Sequence, residues 1–189
     1  MTKSVVIFAS GGGSNFENLV LKSKDIGMEV SSLIVDQANA YAIERAKLLN
    51  VPYHVINRKD YQSKEEFEDK IKGTITVEEP DYLILAGFMR ILSEAFVEQY
   101  DRKIINIHPS LLPAFKGANA IHDAYNYGVK VSGVTIHYVD SGVDTGEIIA
   151  QEPIIIDDND SLDIFEEKIH LLEYDLYPST LKKLFKGDV

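Results

Sequence analysis

Cysteine is absent from the 189 residues. Its absence excludes a disulfide framework, a thiolate metal site and a thiol nucleophile, and suits a reducing compartment. Long apolar runs are missing as well. The N-terminus passes from one lysine straight into Val5-Val6-Ile7-Phe8, too short for the apolar core of a secretion signal. No other stretch approaches the roughly 18 residues needed to cross a membrane. A cytoplasmic protein without a membrane partner is therefore expected. Cationic charge is scarce: 19 Lys and Arg face 30 Asp and Glu, a formal net charge of −11. That argues against nucleic acid as a partner, because such binding is dominated by cationic contacts to phosphate. Anionic small molecules would have to be recognised locally, by backbone amides and a few placed cations. Repeats, low-complexity segments and linkers are also missing, so residues 1–189 are expected to form a single domain.

Apolar residues make up 45% of the chain and charged residues 26%, enough for a sizeable core. Strand-length apolar runs alternate with segments of helical period, the pattern of an α/β fold. Val5–Ala9, Val30–Val35, Tyr53–Ile56, Tyr82–Ala86 and Ile104–Ile107 read as strands. Asn15–Lys24, Ala40–Leu49, Lys64–Lys72 and Glu94–Tyr100 read as helices, the third opened by the capping-box pattern Ser63-Lys64-Glu65-Glu66. Beyond residue 128, Val131–Val139 and Glu147–Ile156 are two strand-like runs joined by one short loop, which predicts antiparallel neighbours. A last helix starts near Asp160 or Ser161 and carries Leu162, Phe165, Ile169, Leu172 and Leu176 on one face, with Pro178 expected to kink or interrupt it. The expected architecture is an open, mostly parallel twisted sheet of about seven strands, with helices on both faces and antiparallel strands at the C-terminal end.

Ser10-Gly11-Gly12-Gly13-Ser14-Asn15 follows the first strand and opens the first helix. Glycines there let backbone approach a ligand closely, and a helix N-terminus offers amides to an anion. A third glycine at the dinucleotide-binding spacing is missing, since Phe16 stands there, and no Gly-Lys-Ser/Thr closes a P-loop. Asp36, at the end of the second strand, could imitate the ribose-binding acid of a dinucleotide site. A phosphate monoester held by the amides of Gly13, Ser14 and Asn15 and by the Ser14 hydroxyl fits better than either.

The fifth strand ends in Asn106-Ile107-His108-Pro109-Ser110-Leu111-Leu112-Pro113. Alternate strand residues share a face, so Asn106 and His108 point together at the carboxyl end of the sheet, where open α/β folds bind ligands. Both prolines are expected to hold the following chain extended. An amide donor beside an imidazole can stabilise negative charge on a carbonyl oxygen under attack. Asp144 lies between Gly142 and Gly146 in the loop joining the last two strands. It either caps its own backbone as an Asx turn or, if the loop folds over the fifth strand, holds His108 protonated and accepts a released proton.

Three runs carry a family resemblance: Leu85-Ala86-Gly87-Phe88-Met89-Arg90-Ile91-Leu92, the Asn106–Pro113 run, and Gly133-Val134-Thr135-Ile136-His137-Tyr138-Val139 followed by Asp144-Thr145-Gly146. In order and spacing they resemble the signature blocks of the folate-dependent formyltransferases, and the similarity extends from the first strand to about Pro178. Within that family, Gly13-Ser14-Asn15-Phe16 resembles the phosphate loop of the members that act on glycinamide ribonucleotide. The chain has room neither for the extra C-terminal domain of the methionyl-tRNA formyltransferases nor for the regulatory domain of the formyltetrahydrofolate deformylases.

The resemblance implies 10-formyltetrahydrofolate as formyl donor and 5-phosphoribosylglycinamide as acceptor, with no metal required. It implies Asn106, His108 and Asp144 as the catalytic set. Gly13, Ser14, Asn15, His170 and Glu173 would contact the ribonucleotide. Lys64, Met89, Arg90, Ile91, Leu92, Asn106 and the Asp140-Ser141-Gly142-Val143-Asp144 loop would line the folate cleft. Lys64 stands where the family often has arginine, Ser141 where an acidic or apolar residue is usual, and Asn119 where some members have histidine. His137 is left outside the catalytic set, as a residue that packs or orients the loop. A formyl-folate hydrolase and a non-catalytic nucleotide- or folate-binding protein are the alternatives, and the oligomeric expectation is a monomer or homodimer.

Overall fold

The strands arise where β-branched and aromatic residues alternate against two faces. The computed structural model describes residues 2–188. Among these, seven strands form one sheet: β1 (Lys3–Ala9), β2 (Met28–Val35), β3 (Tyr53–Val55), β4 (Tyr82–Leu85), β5 (Ile104–His108), β6 (Val131–Tyr138) and β7 (Ile148–Ile155). Their order is β3-β2-β1-β4-β5-β6-β7, with β1 to β5 parallel and β6 and β7 antiparallel, as the sequence pattern predicts. Both faces of the inner parallel strands β1, β4 and β5 are buried, which is why they read as continuous apolar runs, whereas β3 at the sheet edge is largely exposed.

Helices cover both faces: α1 (Ser14–Leu21), α2 (Ser23–Ile26), α3 (Ala42–Leu48), α4 (Lys64–Glu78), α5 (Glu94–Gln99), α6 (Ala120–Tyr127) and α7 (Leu162–Lys186). Val5, Ile7 and Ala9 of β1 pack with Phe16 of α1, Ala46 of α3 and Phe165, Ile169 and Tyr177 of α7. Val6 and Phe8 point to the other face, against Phe67, Ile71 and Ile75 of α4 and Phe96 of α5. The period of two along β1 thus sorts one strand into two cores.

Several elements differ from expectation. The first predicted helix is two, broken at Lys22. The third continues past Lys72 through Gly73 to Glu78, because Ile71 and Ile75 are both buried one turn apart. Its N-cap Ser63 accepts from the Glu66 amide, but Glu66 reaches back to the Gln62 amide, one residue earlier than a capping box requires. Helix α6 has no counterpart in the sequence reading, although Ala120, Ile121, Ala124 and Tyr125 stand at helical spacing and pack on the core; it is only eight residues long. Helix α7 runs unbroken through Pro178. A proline cannot donate to the carbonyl four residues back, which is that of Tyr174. Asn18 Nδ2 of α1 and Lys22 Nζ supply the missing donors, both at 2.9 Å. Tyr177 is fully buried, and its hydroxyl bridges the carbonyls of Leu85 in β4 and Ile105 in β5, each at 3.1 Å.

Candidate active site

From β1 the chain winds outward to β2 and β3, then returns to the other side of β1 as β4. The loops after β1 and β4 therefore diverge and leave a crevice at the carboxyl ends of the strands. They remain tied: the Ser10 amide donates to the Gly87 carbonyl at 3.0 Å, and the Met89 amide to Ser10 Oγ at 2.8 Å. On the far side of the glycine loop, the Gly11 carbonyl accepts from the Ala42 amide at 3.0 Å and the Gly12 carbonyl from Arg45 Nε at 2.8 Å. Gly13 caps α1 at φ 73 with no side-chain cap, and a Cβ there would stand 2.6 Å from that of Ala42. The first-turn amides of α1 have no intrahelical acceptor and are available to an anion.

The Met89–Leu92 loop is anchored at both ends. Arg90 Nε donates to Asp36 Oδ2 at 2.5 Å, and Asp36 is 1% exposed. Buried Glu68 of α4 accepts from the Ser93 amide at 2.7 Å and from the Ser93 hydroxyl. Asp36, the candidate ribose-binding acid, is thus buried against Arg90 and lines neither of the pockets described below, so the dinucleotide reading loses its acid.

Antiparallel pairing of β5 with β6 places Asn106 opposite His137 and His108 opposite Thr135. His137 Nδ1 faces the Tyr138 carbonyl at 2.8 Å and so carries the proton, leaving Nε2 to accept from Asn106 Nδ2 at 3.2 Å. Burial pushes the His137 pKa down, with the Tyr138 carbonyl and Asp144 pulling the other way. A neutral His137 therefore orients the Asn106 amide, and the second Nδ2 hydrogen stays available. His108 Nε2 faces the Phe115 carbonyl at 2.8 Å, which makes that nitrogen a donor as well. Its Nδ1 lies 3.4 Å from Asp144 Oδ2, so the second ring nitrogen faces the carboxylate. Asp144 does not cap its own backbone. Its Oδ2 accepts from the Gly117 amide at 2.8 Å, and Asp140 does the local capping, accepting from the Gly142 amide and the Thr145 hydroxyl.

The chain after His108 is not extended between its prolines. It turns at Leu111–Ala114 and brings the Phe115 carbonyl back over the strand end. Buried Thr135 causes the turn: its Oγ1 donates to the Ser110 carbonyl at 2.6 Å and accepts from the Leu112 amide at 3.1 Å. Opposite, on α7, Glu173 is 5% exposed and accepts from Asn15 Nδ2 at 2.9 Å and His170 Nδ1 at 3.0 Å. That hydrogen bond raises the His170 pKa against partial burial.

Two pockets result. One, of about 300 Å³, holds Asn106, His108, His137 and Asp144. The other, of about 450 Å³, is built from the glycine loop, His122, Glu166, His170 and Glu173. Gly87, Met89, Ile107, Pro109 and Ala118 line both, forming a common wall.

The formyl transferase family profile matches residues 3–181. The chain belongs to the formyl transferase family. It is 45% identical over 184 residues to a phosphoribosylglycinamide formyltransferase of Bacillus subtilis, covering 96% of this chain and 94% of that one. It is similar to the crystal structure of glycinamide ribonucleotide transformylase 1 from Geobacillus kaustophilus (44% identity, TM-score 0.94, 97% and 99% covered). It is likewise similar to that of phosphoribosylglycinamide formyltransferase from Bacillus halodurans (43% identity, TM-score 0.94, 99% and 97% covered).

On this formyl transferase scaffold, Met89, Arg90, Ile91, Leu92, Asn106, Asp140, Gly142, Val143 and Asp144 come together around the first pocket, and Gly13, Ser14, Asn15, His170 and Glu173 around the second. Lys64 and Ser141 are not among the residues lining either; Ser141 borders a separate groove beside Arg102 and Glu147. Three titratable residues of the pockets were not singled out from the sequence as site residues: His137, His122 and Glu166. The signal for His137 was present, because residues 135 and 137 alternate onto the face that Asn106 and His108 share. For His122 it lay in the helical spacing of Ala120, Ile121, Ala124 and Tyr125 around it.

Proposed function

We propose that this chain transfers the formyl group of 10-formyltetrahydrofolate to the glycinamide amine of 5-phosphoribosylglycinamide, a step of purine biosynthesis, with residues 1–189 acting as one catalytic domain. The observation that carries the reading is the common wall. An acid–base and amide-donor group on one side and a phosphate-type loop on the other open onto the same few residues. Two reactants bound there would meet end to end, which replaces a bimolecular encounter with a positioned one.

In this reading the phosphate sits on the amides of Gly13, Ser14 and Asn15, with the Ser14 hydroxyl. Asn15 contributes its backbone amide, while its side chain donates to Glu173 through Nδ2. Glu173 and His170 hold the ribose side. The Met89–Leu92 and Asp140–Asp144 segments receive the folate, and Lys64 adds charge near its glutamate tail. The neutral amine attacks the formyl carbon, and the carbonyl π pair moves onto oxygen. Asn106 Nδ2–H and His108 Nδ1–H stabilise that oxyanion. As the intermediate collapses, the bond from carbon to the folate nitrogen breaks and its electron pair takes a proton from His108, which regains one from Asp144. Asp144 accepts the proton lost from the attacking amine, directly or through water.

Purified protein should form tetrahydrofolate from 10-formyltetrahydrofolate only when 5-phosphoribosylglycinamide is added, with formylated acceptor appearing in equal amount. Formate release at the same rate without acceptor would replace this reading with a hydrolase.

A further inference from the structure

The second pocket has acids but no permanent cation. Its titratable lining among the described residues is His122, Glu166, His170 and Glu173. Each histidine is held by a glutamate: His122 Nε2 lies 3.2 Å from Glu166 Oε1, and His170 Nδ1 lies 3.0 Å from Glu173 Oε2. Glu166 and His170 are four residues apart on α7 and share a face. The four side chains therefore form an alternating row from α6, along α7, to Asn15 of α1. Both histidines are about half exposed, 56% and 49% by side chain, so they can reach a ligand.

Other charged groups on the surrounding elements are otherwise engaged. Arg45 of α3 pairs with Glu17 of α1 and holds the Gly12 carbonyl. Lys168 of α7 pairs with Asp157 and Asp160. Asp123 adds a further acid beside His122 in the first turn of α6. His108 and Asp144 line the other pocket, beyond the common wall. A phosphate monoester is a dianion near neutral pH and would enter a pocket whose fixed charges are negative. Besides the first-turn amides of α1, the groups in the pocket that can supply compensating charge by acquiring a proton are the two imidazoles.

We propose that His122, together with His170, is a cationic contact of the phosphorylated acceptor, and that both rings take up protons as it binds. The proposal rests on the acceptor reading above and adds His122 and the proton linkage to it. Affinity for the acceptor then falls as pH rises above the histidine range.

The test is isothermal titration of the full chain with 5-phosphoribosylglycinamide at pH 7.8, in PIPES and in Tris, whose different ionisation heats reveal protons exchanged. The ligand's own amine contributes equally in every variant and cancels in differences. Wild type should take up between one and two more protons than the double variant His122→Gln/His170→Gln, and each single variant should lose part of that difference. His122→Gln should also weaken binding at pH 6.5 by about threefold to fivefold, the scale of a half-exposed charge contact. His122→Arg, charged at every pH, should bind at pH 7.8 at least as tightly as wild type while taking up fewer protons. Ribose 5-phosphate, which lacks the amine, should show the same differences. Unchanged proton uptake in His122→Gln with binding intact would overturn this proposal and leave the acceptor reading standing. No binding by a folded wild-type chain would overturn both.

Discussion

Replacing Asp144 with asparagine tests the proton-handling pair with little structural disturbance. Asp144 sits at φ 50, a left-handed conformation that asparagine tolerates about as well as aspartate, whereas alanine would add about 1–2 kcal/mol of backbone strain. Asparagine also keeps an oxygen for the Gly117 amide, now 2.8 Å from Oδ2, so the contact between the two loops survives. What disappears is a negative charge 3.4 Å from His108 Nδ1. At an effective dielectric of about 20, the attraction at that separation has a ceiling of about 5 kcal/mol. Desolvation of the pair lowers the net value, and about 3–5 kcal/mol of lost transition-state support corresponds to roughly 10²- to 10⁴-fold in kcat. Steady-state rates of tetrahydrofolate formation, with each substrate varied, should show that loss in kcat and small changes in both KM values. His108→Ala should lose a comparable amount, and the double variant little more than the worse single one, since groups acting as a unit are non-additive. A kcat for Asp144→Asn within about threefold of wild type, or losses that multiply in the double variant, would refute the coupled pair.

Three further outcomes follow from the same geometry. Gly13→Ala places a methyl against Ala42 at a positive φ, so it should cost about 2–4 kcal/mol in denaturant unfolding and raise the acceptor KM more than the folate KM; an unchanged midpoint would contradict the close packing. Lys64→Ala removes a charge outside both pocket linings and should raise the folate KM only about fivefold or less; a hundredfold fall in kcat would give Lys64 another role. Because burial depresses the His137 pKa, the unfolded chain binds a proton there that the folded chain does not. Its contribution to stability is therefore complete above about pH 6.5 and lost as pH falls below it. The stability difference between wild type and His137→Gln should stay flat above pH 7 and shift against wild type below 6.5, and a difference independent of pH would remove His137 from that account.

Much of the molecule is legible from neighbours along the chain. Apolar runs of period two, the glycine loop opening α1, and the side-by-side placement of Asn106 and His108 are all set within a few residues, where backbone sterics and side-chain alternation act. The family blocks add the identity of the site, because their residues recur in a known order. Other features depend on segments far apart in sequence. Whether Asp144 caps its own loop or faces His108, and whether Asp36 is available for a ribose, was decided only when β6 paired with β5 and the loop after β4 laid Arg90 on Asp36. The continuity of α7 through Pro178 likewise required donors from α1 and Lys22, more than 150 residues away. Helix α6 is short, but Ala120, Ile121, Ala124 and Tyr125 form an apolar face of helical spacing that packs on the core, and only that packing against α7 brings His122 to Glu166. Local patterns specify elements and the faces they present. The distances between side chains on different elements, which carry the chemistry, are set by packing energies summed over the whole sheet, and no local window contains them.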